Sequence, residues 1–168
     1  VTASHNKGAV SSHSTVTTFL GGLVGYIDSK TVVEGSTNAG RIYFDCPSNT
    51  CNMGGLASQV KSGASVNNCT NSGDVVLANP ANNLACNMGG MIGINESQNV
   101  ANLTNNGKVI LEEFNGEYVR FVRAGGVIGL HQGIAIDGEG TIQNNGEVIW
   151  NSSGGWSCNS FYAMCTWV

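Results

Sequence analysis

The side chains best suited to covalent chemistry in this 168-residue chain are cysteines and the acceptor asparagines of glycosylation. Six cysteines make an even set, which in an oxidising compartment reads as disulfides. The motif N-x-[ST] occurs at Asn68, Asn95, Asn102 and Asn151, each a candidate site for an N-linked glycan. Together with scarce lysine, these features favour an extracellular or cell-surface location. Acid–base chemistry has less to work with. Glu112, Glu113 and Glu117 form the one acidic cluster, and EEFNGEYVR around them reads as a solvated hairpin loop. His5, His13 and His131 are far apart, and no Cys/His set has zinc spacing. DGEG at 137–140 lacks the further oxygen ligands of a calcium loop and reads as a turn. GGLVG at 21–25 lacks the Lys-[ST] end of a phosphate loop. The reading is non-enzymatic, with no cofactor and no metal.

Composition narrows the partners. Charged residues are 11% of the chain, against about 25% in an average soluble domain. The net charge is −4 and the basic residues are scattered, which gives no footprint for nucleic acid. No apolar run approaches the roughly 18 residues of a membrane span. The 41% of apolar residues falls in short β-branched runs, which separates the chain from disordered sequences. It begins at Val1 with no initiator Met or signal peptide, as a mature or trimmed product would.

The elements that must position these groups are set by an internal repeat. Gly-Gly recurs in FLGGLVGYI, NMGGLASQV, NMGGMIGIN and RAGGVIGLH, with second glycines at 22, 55, 90 and 126, spaced 33, 35 and 36 residues apart. A second signature, N-x-G-x-[VI], occurs five times, with its asparagines at Asn6, Asn38, Asn71, Asn105 and Asn144. Its apolar residues are Val10, Ile42, Val75, Val109 and Val148. The runs after it alternate with period two, as in KVIL, where Val109 and Leu111 share a face and Ile110 points away. A Gly pair in each unit would weaken helices. One such unit cannot bury its own apolar face, whereas stacked copies bury a continuous one. The expected fold is all-β: a parallel β-solenoid of about four coils over residues 1–150, followed by an aromatic, Cys-bearing tail at 151–168. Equivalent residues of adjacent coils then sit about 4.8 Å apart, so the signature asparagines form a hydrogen-bonded ladder. The glycine two residues on is expected to supply positive φ at a sharp corner.

The repeat also places the chemistry. Cys51 and Cys86 each lie three residues before a Gly pair, at equivalent sites on neighbouring coils and within disulfide reach. Cys46 competes for Cys51, while Cys158 and Cys165 are close enough in sequence to staple the tail. Cys69 aligns with Ser36, Leu103 and Ile142 as an inward residue. Asn68 and Asn102 align with each other, facing outward on adjacent coils. Trp150, Trp156, Trp167, Phe161 and Tyr162 gather at the tail, where they cap the last coil, stack sugars or reach a neighbouring molecule.

GGLVG at 21–25 and VNNCTNSGDVV at 66–76 resemble the GLUG-type glycine-rich repeats of secreted and surface proteins. The resemblance spans most of residues 5–150, with departures: Ser58 replaces the final Gly of the motif, and Met91 or Val127 replaces its Leu. It implies a repetitive β architecture on a surface or secreted product and carries no catalytic residues. Neither end shows a polar helix or charged cap, so open strand edges are expected to pair with further copies of the chain. The functional expectation is a structural protein, N-glycosylated, assembling head-to-tail into a surface fibre or coat. The alternatives are an adhesin, a carbohydrate- or ice-binding module, or a fragment of a longer surface protein. For ice, only Thr37, Thr70 and Thr104 align as a column, which Gln143 ends.

Overall fold

The computed structural model describes residues 1–45, 50–79, 85–112, 121–137 and 140–151. Among these residues the regular elements are all strands, and their sheet pairings are parallel. The chain winds as a β-solenoid of about four coils, each laying one strand on four sheets in turn. Sheet 1 stacks His5–Asn6, Thr37–Asn38, Ser65–Asn71, Asn99–Asn105 and Ile142–Asn144, with Val32–Glu34 also pairing to Ser65–Asn71. Sheet 2 stacks Val10–His13, Ile42–Asp45, Val75–Ala78, Val109–Leu111 and Val148–Trp150. Sheets 3 and 4 are each four strands deep, with Ala85–Gly89 central to the third and Ile92–Asn95 to the fourth.

Alternation decides what faces inward. On sheet 2, Ile42, Val75 and Val109 and then Phe44, Leu77 and Leu111 point to the interior. They pack against Met53, Met88, Val122 and the two cysteines of sheet 3. Sheet 1 sends Val33, Val66, Val100, Cys69 and Leu103 into a separate cluster with Ile27, Val60, Ile92 and Ile128 of sheet 4. Leu56, Met91 and Val127, the residues just after each Gly pair, fill that second cluster. The interior is thus two apolar lobes, where stacking alone suggested one continuous core.

The waist between the lobes is made by the two sequence signatures meeting. A β-carbon on Gly55 would lie 2.4 Å from the amide carbon of Asn71, and one on Gly90 2.4 Å from that of Asn105. The first glycine of each pair serves the bend itself: on Gly54 a β-carbon would fall 1.9 Å from the carbonyl oxygen of Ala57.

The glycines of N-x-G do not have the left-handed backbone expected of them. Positive φ among the described glycines is confined to Gly35, Gly63 and Gly133. The signature glycines are needed for close approach between coils. A β-carbon on Gly73 would stand 2.0 Å from the carbonyl oxygen of Gly40, and one on Gly107 2.1 Å from that of Gly73. Left-handed residues occur instead at Ala3, Lys30 and Asn79 and, in mid-sheet 1, at Asn68 (φ 54°) and Asn102 (φ 51°), in line with Gly35 (φ 58°). There the strand inserts an extra residue, so that Val66 and Cys69, three apart, both face inward. Asparagine tolerates this conformation better than most residues.

Close approach gives a direct test. Gly73→Ala must displace the adjoining coil and should lower unfolding stability by about 2 kcal/mol or more. At Gly8 the nearest atom to an added β-carbon is 3.7 Å away, so Gly8→Ala should change little. Urea denaturation of both variants distinguishes packing from turn conformation, since a corner requiring left-handed φ would penalise both equally.

Candidate functional site

The five signature asparagines form a continuous column along the solenoid axis. Asn6 Nδ2 donates to Asn38 Oδ1 at 2.8 Å. Asn38 to Asn71, Asn71 to Asn105 and Asn105 to Asn144 follow at 2.9 Å each. Each amide is also closed onto its own corner. Asn71 Nδ2 donates to the Gly73 carbonyl at 2.7 Å, and Asn71 Oδ1 accepts the Gly73 N–H at 3.2 Å. A primary amide has two donors and two acceptor sites. At Asn38, Asn71 and Asn105 all four are used, and these three side chains are buried.

Other columns run alongside the ladder. The residues after the last four signature glycines stack as Arg41, Asp74, Lys108 and Glu147, alternating in sign from coil to coil. Lys108 Nζ lies 2.8 Å from Glu147 and its backbone N–H donates to Asp74. Arg41 lies over the Tyr43 ring and pairs with Glu112. A second alternating column follows sheet 4, with Asp28, Lys61 and Glu96 in register. Burial pushes the Glu96 carboxyl up, but hydrogen bonds from Lys61 and Gln59 outweigh it and hold the group below its ordinary value. The bond to Glu96 raises Lys61 in turn. A third column, Asn52–Asn87–Arg123, hydrogen-bonds along the outer side of sheet 3.

The cysteines divide cleanly. Cys51 and Cys86 form a disulfide across adjacent coils, Cα to Cα 4.6 Å, inside the first lobe. Cys69 is a buried free thiol whose pKa burial pushes up. Cys46, Cys158 and Cys165 lie outside the described residues, as do the aromatic residues of 152–168.

Asn68, Asn102 and Asn151 are exposed, whereas Asn95 is fully buried. Asn95 Nδ2 donates to the Ser97 carbonyl, Ser97 N–H returns a bond to its oxygen, and His131 closes the other side. The Asn95 amide is thus buried and bonded on both sides, unlike the three exposed acceptors. Asn102 Nδ2 donates to Asn68 Oδ1 at 3.0 Å, so the two exposed acceptors are immediate neighbours.

Among the described residues the three histidines are held apart, each with its own partner. His5 bonds to Thr37, His13 to Asp45, and His131 to Asn95 and the Ile134 carbonyl. Glu112 is engaged by Arg41, while Glu113 and Glu117 lie outside the described residues. Among the described residues no group of three or more His, Cys, Asp or Glu is placed to hold a metal ion. Among the described residues no helix is long and apolar enough to cross a membrane. Thr37, Thr70 and Thr104 do stack in register, continued by His5 on one side and Gln143 on the other. Comparisons with protein-family models, curated proteins and solved structures returned no match.

Asn71→Asp isolates the ladder from every packing change. It removes the donors to Gly73 and Asn105 and sets oxygen against oxygen at both contacts. Stability at pH 7 should fall by at least about 3 kcal/mol. Burial raises the new carboxyl's folded pKa above its unfolded value near 3.9. The deficit relative to the native chain should therefore shrink as pH falls through that raised pKa, measured by thermal unfolding at pH 7 and 4.5.

Proposed function

We propose that this chain is a non-enzymatic structural repeat protein of an extracellular surface, built to stack head-to-tail into a fibre or coat. The observation that carries this reading is the parallel stacking itself, which among the described residues leaves each sheet with an edge strand on its first and last coils. At the first coil Phe19 and Val32 are 42% and 47% exposed, and at the last half-coil Val148, an inward-column residue, is 42% exposed. Strand edges and apolar side chains left open in this way pair with another chain unless covered. The disulfide is compatible with an oxidising compartment. The likeness of its motifs to GLUG-type repeats supports a surface role in the same sense. Glycans at Asn68, Asn102 and Asn151 belong to this reading, as exposed acceptors beside the stacking axis.

The test is electron microscopy of the protein at moderate concentration. The deepest regular columns, in sheets 1 and 2, are five strands high. Filaments should therefore show an axial repeat of about 24 Å from the strand spacing. Compact monodisperse particles would sink the fibre reading. They would favour an adhesin using the exposed Phe19–Tyr26 pair, whose rings meet edge to face at 6.2 Å, to stack sugars.

Glycosylation has its own readout. Intact mass before and after enzymatic removal of N-glycans from secreted material should drop. Asn68→Gln and Asn102→Gln should each reduce that loss, and Asn95→Gln should leave it unchanged. An unmodified native mass rejects the glycoprotein assignment.

A further inference from the structure

The outer face of sheet 2 carries a charge pattern that is its own complement. We infer that this face is a contact between two copies of the chain, packed face to face with one turned end over end. The contact lies along the flank of the solenoid and is independent of what meets either end of it. Outward positions on sheet 1 hold threonine in register, at Thr37, Thr70 and Thr104. On sheet 2 the outward column holds Tyr43, Val76, Ile110 and Ile149. Alternation sends these away from the interior, which Ile42, Val75 and Val109 already fill. Tyr43, Ile110 and Ile149 are half-buried, and Val76 is fully buried. Arg41 lies over the Tyr43 ring and reaches Glu112 two coils on, so its side chain spans the coil that holds Val76. An apolar stripe rimmed by charge on an outer face marks an interaction surface.

The charges beside the stripe choose the partner. From first coil to last they run Arg41, Asp74, Lys108 and Glu147: plus, minus, plus, minus. A two-fold axis across the sheet sets Glu147 of the second copy against Arg41, and Lys108 of the second copy against Asp74. Symmetry repeats both pairs, so all four charges meet an opposite one. The stripe matches at the same time, Tyr43 against Ile149 and Val76 against Ile110. On the far side of the stripe the column is Asp45, Ala78, Glu112 and Asn151. There Asp45 meets Asn151 and Glu112 meets Ala78, so no like charges are brought together. Packing with the axes parallel instead leaves Asp74 and Glu147 facing Ala78 and Asn151, with no cation opposite. The charges are reachable, the side chains of Arg41, Lys108 and Glu147 being 50%, 49% and 67% exposed. A guanidinium has five donors, so Arg41 can keep Glu112 while taking a second carboxylate. A contact of this symmetry closes at two copies, whereas end-to-end stacking stays open.

Within one chain Arg41 and Glu147 lie three coils apart, about 14 Å from the strand spacing, so coupling between them reports a contact between copies. In sedimentation at low salt the native chain should pass from one copy to two as concentration rises, and added salt should weaken the pairing. Arg41→Glu and Glu147→Lys each set like charges together twice per pair of copies. Each alone should raise the dissociation constant about tenfold or more. Mixed in equal parts, the two variants should recover pairing near the native level, because the new carboxylate of one then faces the new ammonium of the other. That recovery also shows both variants to be folded. Variants that pair as well as the native chain, or a mixture that gains nothing over either alone, would overturn this contact. A native chain that stays single at every concentration would overturn it too, and filaments in those samples would leave the end-to-end reading standing. Pairs without filaments would support the contact and count against end-to-end stacking.

Discussion

Everything in this fold depends on burying a column of primary amides without leaving any donor or acceptor empty. A buried amide lacking partners costs on the order of 1–3 kcal/mol per group, enough for one or two to cancel a domain's stability. The solenoid meets that demand by symmetry. Each of the three central asparagines sees the same carbonyl and N–H from its own corner and an asparagine neighbour above and below. Because Asn38, Asn71 and Asn105 are saturated in this way, they can occupy the waist between two apolar lobes. The glycine pairs follow from it, since only a residue with no β-carbon lets the backbone lie against the amide plane.

That constraint also fixes register. A strand that slips by one residue exchanges its inward and outward faces, and here it would also strip an asparagine of four partners. The alternating charges of Arg41, Asp74, Lys108 and Glu147 act in the same direction from outside, because a shift of one coil would set like charges together. Exposed pairs of this kind add little energy individually. Their part is to disfavour wrong stackings, while burial and the ladder hold the right one. The Cys51–Cys86 bond ties neighbouring coils from within the first lobe and closes a separation of 35 residues.

Much of the architecture was legible because repetition shows in sequence what a single copy conceals. The sheet-forming runs, the asparagine column and the equivalence of Cys51 with Cys86 all follow from aligning N-x-G with Gly-Gly. The role of the signature glycine did not follow. Spacing reveals that a glycine is required, but a need for positive φ and a need for close approach leave the same letter. Two of the left-handed residues, Asn68 and Asn102, align in sequence, but the same letters also spell N-x-[ST], which points to sugar rather than to backbone. The alternating charges stood in the fourth position of the signature, hidden by its being written as x. Asn95 carried no warning, because its burial comes from three-dimensional closure on Ser97 and His131.

The one-way run of the ladder has an electrical consequence. Backbone bonds of a parallel sheet point alternately up and down the stacking direction and largely cancel. The side-chain amides do not alternate: each carbonyl faces the first coil and each N–H the last. An amide carries a dipole of about 3.5 D, and five aligned along one axis add as they do in a helix. The solenoid therefore has a negative and a positive pole set by hydrogen bonding, independent of its ionised groups. Two such solenoids lying side by side would thus lower their electrostatic energy when they run in opposite senses.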